Sequence, residues 1–434
     1  MRTRTLPNDD HGCGWITTLP PMAPARRLAS EQRADCVVVG AGFTGLAAAR
    51  RLAAHRPNWR IVVLEAERVG FGASGRNSGF VVDVGHYEPQ LGVEGNRRLV
   101  RLGRAGLEQL RALVRVHAID CAWTERGRLH GAVGDAGLRL LDEFHKGLDA
   151  MGEPYEALDA AAVTSITGTA YYRAAARTPG AAMVQPAALA RGLAAALPPN
   201  VELFEESPVV GIHRGTKFQL EAGNGAVVAD RLFLAANGFT ATLGFLGRRV
   251  FPLFTFASLT RALTATEQAA LGGEPEWGLV PEDRMGTTVR RTRDHRILIR
   301  NTVHYTGSLQ VSDAYRCAVR EIHRRAFRAR FPMLALVDLE YTWGGVMGMS
   351  VNGAHFCGPL DDNLFAAAGC NGVGVALGTI SGTLLADRAV GADSELLSDM
   401  QALPRPAWIP PEPFLGIGVR ATLAGLTARA REEL

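Results

Sequence analysis

The chain has 434 residues, 47% of them hydrophobic, and its 47 basic and 43 acidic side chains leave a formal net charge of only +4. That length is too great for one small core and predicts two intertwined domains of an ordinary globular enzyme. All but two of the basic residues, Lys146 and Lys217, are arginines, but they are dispersed with no aromatic-interleaved stripe, which excludes a nucleic-acid partner from the expectation.

Residues 1–30 form a proline-containing lead without the continuous apolar stretch of a signal peptide. The run Cys36–Val39 ends in glycine and reads as a buried parallel strand. An alanine- and leucine-rich helix follows from about Thr44 to His55, Pro57-Asn58 breaks it, and Ile61–Leu64 is a second buried strand, completing a βαβ unit. Residues 95–160 read as mostly helical, with Leu99, Leu107, Leu110 and Leu113 at helical spacing. Another helix is expected near Met183–Leu197, then strands at Val209–Ile212 and Leu232–Ala236.

From about Phe251 to Tyr341 the texture alternates. Arg296–Asn301 and Thr302–Tyr305 are expected as antiparallel strands around the turn Arg293-Asp294-His295, followed by a helix over Ala314–Arg330. Between Asn363 and Ala386 no residue is charged, a stretch long enough to span a bilayer. Its glycines at 369, 372, 374, 378 and 382 instead predict a strand, a loop and a helix, so no transmembrane segment is expected. The six cysteines show no close pairing, which argues against disulfides and a metal centre and for a reducing cytoplasm.

Gly40-Ala41-Gly42-Phe43-Thr44-Gly45 lies between the first strand and its helix. The first glycine permits a tight turn, the second lets backbone approach a pyrophosphate, and the third lets helix pack on strand. The phosphates would then sit at the positive helix N-terminus. Glu65 closes the second strand, placed to accept hydrogen bonds from an adenosine ribose, and an acid there argues against a 2′-phosphate.

NAD and FAD share this fingerprint, so a second motif must decide. Gly72-Ala73-Ser74-Gly75-Arg76-Asn77-Ser78-Gly79 follows the second strand. With the fingerprint, it resembles the D-amino-acid-oxidase-like flavoproteins over about residues 30–400. The likeness is to the branch of glycine and sarcosine oxidases, γ-glutamylputrescine oxidase and L-pipecolate oxidase. The resemblance implies FAD as cofactor. It assigns Gly40, Gly42, Phe43, Thr44, Gly45, Glu65 and Ala66 to the dinucleotide, and Ser74, Arg76, Asn77 and Ser78 to the pyrophosphate and ribityl chain. Val209, in Ser207-Pro208-Val209-Val210, would cover the adenine. Asn237 and Gly238 would flank the dinucleotide, Gly345 would lead into the last cofactor segment, and Asn371, Gly372, Val373 and Gly374 would close over the flavin pyrimidine side.

Two departures from the family pattern stand out. Some sarcosine oxidases attach flavin through cysteine, but Cys357 and Cys370 read here as small packing residues. Sarcosine-type oxidases also use a lysine above the flavin for oxygen activation, and no lysine follows Lys217, which leaves the electron acceptor open.

The implied architecture is α/β. A Rossmann-like FAD-binding domain (31–85, 181–245 and 341–403) is interleaved with an antiparallel-sheet substrate domain (86–180 and 246–340), with a tail over 404–434. The implied function is oxidation of a small primary or secondary amine or amino acid to an imine, with oxygen as a possible acceptor. The alternatives are a dehydrogenase serving a quinone or carrier protein, and a non-catalytic flavin-binding sensor. An amino-acid substrate needs a fork-shaped cation for its carboxylate. Arg300, in an alternating half-buried strand, is the first candidate, with Glu340 as the acid that would pair it if it were structural. His304 and Tyr305 are weaker candidates for shaping the pocket, and Arg290 and Arg291 are further cations nearby.

Overall fold

The computed structural model describes residues 2–3, 5–7, 12–430 and 432–434. The strand expected at Cys36–Val39 runs over Glu31–Val39. Its second half is wholly buried and its first half only partly, so apolar pattern alone revealed only the buried end. It is central in a sheet ordered Phe356–Asp361, Leu364–Ala368, Gly225–Leu234, Glu31–Val39, Ile61–Leu64, Val201–Phe204. All neighbours pair parallel except the outermost hairpin formed by the first two strands. Val209–Arg214 and Phe218–Ala222 extend the long Gly225–Leu234 strand as an antiparallel flap.

The helix Phe43–His55 covers one face, with the helix Ala376–Val390 laid across it. Their approach is close enough that a Cβ on Gly382 would lie 2.0 Å from the Thr44 carbonyl oxygen. This crossing brings the start of a helix formed late in the chain beside the start of the first one.

The second sheet is ordered Leu339–Met349, Phe251–Thr260, Ile297–His304, Thr288–Arg291, Trp277–Pro281, Arg128–Ala132, Ala174–Thr178, Glu156–Asp159. It is antiparallel apart from one parallel pair, Trp277–Pro281 with Arg128–Ala132. Two strands thus lie inside the region read as helical, between and after the helices Gly92–Val116 and Asp135–Met151. They are short and one carries a histidine and a glycine, so they leave little periodic signal.

The pair expected at Arg296–Asn301 and Thr302–Tyr305 is a single strand, Ile297–His304. Its hairpin partner is Thr288–Arg291. Thr302 is a bulge: Asn301 pairs with Phe256 and Val303 with Thr255, while Thr302 itself adopts φ +59°. Among the described residues no helix is long and apolar enough to cross a membrane.

Candidate active site

A cavity of about 990 Å³ runs from the C-terminal ends of the parallel strands onto one face of the second sheet. Two glycine turns build its first end. Gly40 takes φ +101°, and a Cβ on Gly45 would lie 1.8 Å from the Gly40 carbonyl oxygen. Gly45 therefore packs the turn and does not line the cavity, whereas Gly40, Gly42, Phe43 and Thr44 do. Gly70-Phe71-Gly72-Ala73-Ser74-Gly75 repeats the spacing and the geometry: Gly70 takes φ +89°, and a Cβ on Gly75 would lie 1.9 Å from its carbonyl oxygen. The repeat starts two residues before the motif at Gly72 and shows in the sequence as a second glycine spacing of the same kind.

Ser74 joins the turns by accepting a hydrogen bond from the Phe43 backbone N–H (3.1 Å). Glu65 accepts from Ala41 N–H at 2.8 Å and Glu67 N–H at 3.2 Å. Burial raises its pKa against the lowering effect of these bonds. Asn77 caps the turn, donating to Ala73 and Ser74 carbonyls and accepting from Gly79 N–H. Arg76 donates to the carbonyls of Phe71 (2.7 Å) and Gly344 (2.9 Å), tying the turn to the second sheet, and burial holds its pKa down to about 10. The Ser78 carbonyl accepts from Arg290 (3.3 Å), which also holds Val184 and Gly79; Arg291 holds Gly272 and Glu274. Both arginines are buried and serve the backbone.

The opposite wall is the loop before the helix Ala376–Val390. Asn237, at φ +44°, accepts from the N–H groups of Gly369 (3.1 Å) and Cys370 (3.3 Å). Asn371 accepts from Ser350 N–H and donates to Gly353, Ala354 and Gly369. Asn237, Gly238, Gly345, Asn371, Gly372, Val373 and Gly374 all line the cavity, as do Glu65, Ala66, Ser74, Arg76, Asn77, Ser78 and Val209. Cys357 is packed away, donating to Ser381 O, but Cys370 lines the cavity with its sulfur accepting from Asn237.

These residues fit a dinucleotide. The helices Phe43–His55 and Ala376–Val390 both begin at the cavity with no side-chain cap, so backbone donors and the positive helix ends face it.

The bulge at Thr302 decides which of the substrate-side residues reach the cavity. In a regular strand Arg300 and His304 would share a face. One extra residue reverses every later side chain. Arg300 and Val303 line the cavity, while His304 turns to the other face and packs on Tyr315, ring centroids 4.4 Å apart. Tyr305 is buried beside Phe251 and donates its hydroxyl to Glu412. His304 and Tyr305 are thus not in the cavity wall. The Arg300 guanidinium has no hydrogen bond or ion pair among the described residues, and burial alone lowers its pKa. Glu340 pairs instead with Arg296.

The roof comes from the C-terminal helix Phe414–Arg429, whose Leu415, Val419, Leu423 and Leu426 line the cavity. Expected only as a tail over 404–434, this stretch is a helix with apolar residues on all sides, Phe414 and Ile417 being exposed, so no one-sided spacing marks it. Its ends are anchored. Glu412 holds Tyr305, and at the terminus Arg330 donates to the carbonyls of Glu433 and Leu434, each at 2.8 Å. The Glu433 carboxylate accepts from Val133 and Gly134 N–H.

His86, His130 and Glu282 have the residue types of a metal site. His130, however, accepts from Arg128 at Nε2 (2.8 Å) and donates from Nδ1 to Glu282 (2.5 Å), so both nitrogens are committed.

The geometry agrees with the comparisons. Residues 35–388 match the family model described as DAO, FAD dependent oxidoreductase. The chain is 29% identical over 396 residues to the gamma-glutamylputrescine oxidoreductase of Escherichia coli K12, covering 88% of this chain and 89% of that one. It is also 29% identical over 403 residues to the probable oxidoreductase OrdL of Rhizobium meliloti, covering 89% and 90%. Glycine oxidase from Geobacillus kaustophilus shares the fold with a TM-score of 0.69 at 22% identity, over 84% of this chain and 96% of that one. L-proline dehydrogenase from P. horikoshii does so at 0.68 and 16%, over 85% and 96%. With two capless helix ends and paired glycine turns around one long cavity, the chain belongs to the DAO family of FAD-dependent oxidoreductases.

Proposed function

We propose that the protein oxidises a small amino or imino acid at its C–N bond to an imine. The observation that carries this reading is Arg300, a guanidinium in the cavity wall with no protein counter-charge. A buried cation is costly unless an anion meets it, and a planar fork matches a carboxylate. Arg300 would bind the substrate carboxylate and so fix the orientation of the adjacent amine and C–H. The two glycine turns, Glu65, Asn237 and the loop 369–374 would hold FAD, which when bound supplies a two-electron acceptor. Leu253, Val303, Met347, Val419 and Leu423 make the nearby wall apolar and exclude water.

The test is an anaerobic screen of amines and amino acids for bleaching of the flavin band. Reduction by carboxylate-bearing amines supports the reading. Reduction only by amines lacking a carboxylate, or by no amine at all, refutes it.

A second reading concerns reoxidation. Both lysines lie outside the cavity and pair with acids, Lys146 with Asp142 and Lys217 with Asp230. This favours an acceptor other than oxygen, such as a quinone or carrier protein. Rapid oxygen consumption with hydrogen peroxide release would exclude it.

A further inference from the structure

Arg128 stands at the far side of the same cavity and is 5% exposed. Its Nε donates to His130 Nε2 at 3.2 Å, and one terminal nitrogen donates to Val84 O at 2.7 Å and to His130 at 2.8 Å. The other terminal nitrogen has no partner among the described residues, and no carboxylate lies within 4.0 Å of the guanidinium. Its charged neighbours are Glu282 and Asp83, which raise its pKa against burial; Glu282 is bonded to His130 (2.5 Å) and His86 (3.3 Å), and Asp83 faces Arg104 at 3.7 Å with one carboxylate oxygen left without a hydrogen bond.

The sheet relates this group to Arg300. Arg300 pairs with Thr288, the register continues through Val280, and Val280 pairs with His130. Directly paired residues project to one face, and Arg128, two residues from His130, shares it. Three strand spacings separate the strand of Arg300 from that of Arg128, about 14 Å, a gap shortened by two long side chains reaching inward. Arg300, Thr288, Val280 and Arg128 all line the cavity.

We infer that the substrate carries two carboxylates, one bound by Arg300 and a distal one bound by the free donor of Arg128. This rests on the amino-acid reading above and narrows its class to amino or imino acids with a second carboxylate on an extended chain. Each free guanidinium donor obtains a directly hydrogen-bonded carboxylate that no protein side chain supplies. His130 is the positioning residue. It is locked between Glu282 and Arg128, stacks on Phe144 with centroids 4.2 Å apart, and keeps the Arg128 fork turned to the cavity.

The experiment compares anaerobic flavin reduction in the holoenzyme by glycine, sarcosine and proline with that by aspartate, glutamate and N-carboxymethyl amino acids. Glutarate and valerate serve as non-oxidisable probes, read by perturbation of the flavin spectrum. The expected result is at least a thirtyfold preference for a dicarboxylic substrate, with glutarate binding more tightly than valerate. Arg128→Gln should erase both differences with flavin content intact. Equal reduction of the two substrate sets, or equal binding of glutarate and valerate, overturns the inference. So does an Arg128→Gln variant that lowers both sets alike with flavin content intact. Should Arg128→Gln not fold, the wild-type preference and the glutarate-to-valerate ratio decide alone. If no amine or amino acid reduces the flavin, the amino-acid reading falls, and the glutarate-to-valerate ratio still reports on Arg128.

Discussion

Arg300→Met separates the cost of a residue to the fold from its value to the reaction. Methionine keeps the length and apolar stem of the side chain and removes only the charge. The guanidinium lies in the cavity wall with its pKa lowered by burial and has no protein partner among the described residues. Its removal should therefore stabilise the substrate-free protein by about 1 kcal/mol at most, because the unpaired charge is only half-buried and faces the cavity. In a chain of this length that is a rise of about 1 °C in Tm at most. Turnover should move the other way. Losing a desolvated charged partner costs about 2–5 kcal/mol, roughly 30- to 5,000-fold in kcat/KM for a carboxylate-bearing substrate. Thermal denaturation of the holoenzyme and anaerobic half-reaction rates read the two effects. A variant that melts several degrees lower yet reduces within threefold of wild type would refute the reasoning and make Arg300 a structural residue.

The third glycine of each turn, Gly45 and Gly75, should be intolerant of any side chain. Gly45→Ala and Gly75→Ala each place a Cβ within 2 Å of a backbone oxygen, so both should lose flavin occupancy or folded yield. A Gly45→Ala protein with full flavin content would contradict the packing described. The fold should also weaken with acid. His130 and His323 are buried, and burial holds each down to about 3 against an ordinary value of 6.5. The unfolded chain therefore binds more protons between about pH 3 and 6.5, and stability, full above 6.5, falls as pH drops through that window. At about 1.4 kcal/mol per group per pH unit, the two lose on the order of 4 kcal/mol by pH 5; a melting temperature unchanged from pH 7 to 5 would exclude this. Ending the chain before Glu432 removes the carbonyls that Arg330 holds and the carboxylate on Val133 and Gly134. The helix Phe414–Arg429 should then be cleaved faster by proteases and KM should rise. Unchanged cleavage would show the anchor to be idle.

The dinucleotide end of this protein was legible because its chemistry is local. A buried strand, a glycine turn, a helix and a terminal acid follow one another within Cys36–Glu65, and steric demands between residues five apart select glycine whatever the rest of the chain does. The same holds for Asn371, whose side chain organises its own loop. Periodicity likewise sufficed for the βαβ unit and the long helices, whereas the whole α/β architecture was implied by the family resemblance.

The substrate end was decided by tertiary structure. Arg300 and His304 would share one face of a regular strand, but a single bulged residue, Thr302, leaves the first in the cavity and turns the second away. A bulge depends on what the neighbouring strand offers, which no local pattern records. Arg128 and Arg300 are far apart in sequence and meet one cavity only because the intervening strands lie side by side. The C-terminal helix is apolar on every side and carries no one-sided signal, and its role as a roof depends on anchors at Tyr305 and Arg330, distant in the chain. Side-chain spacing determines which face an element buries; what that face meets is set by the long-range pairing of sheets and termini.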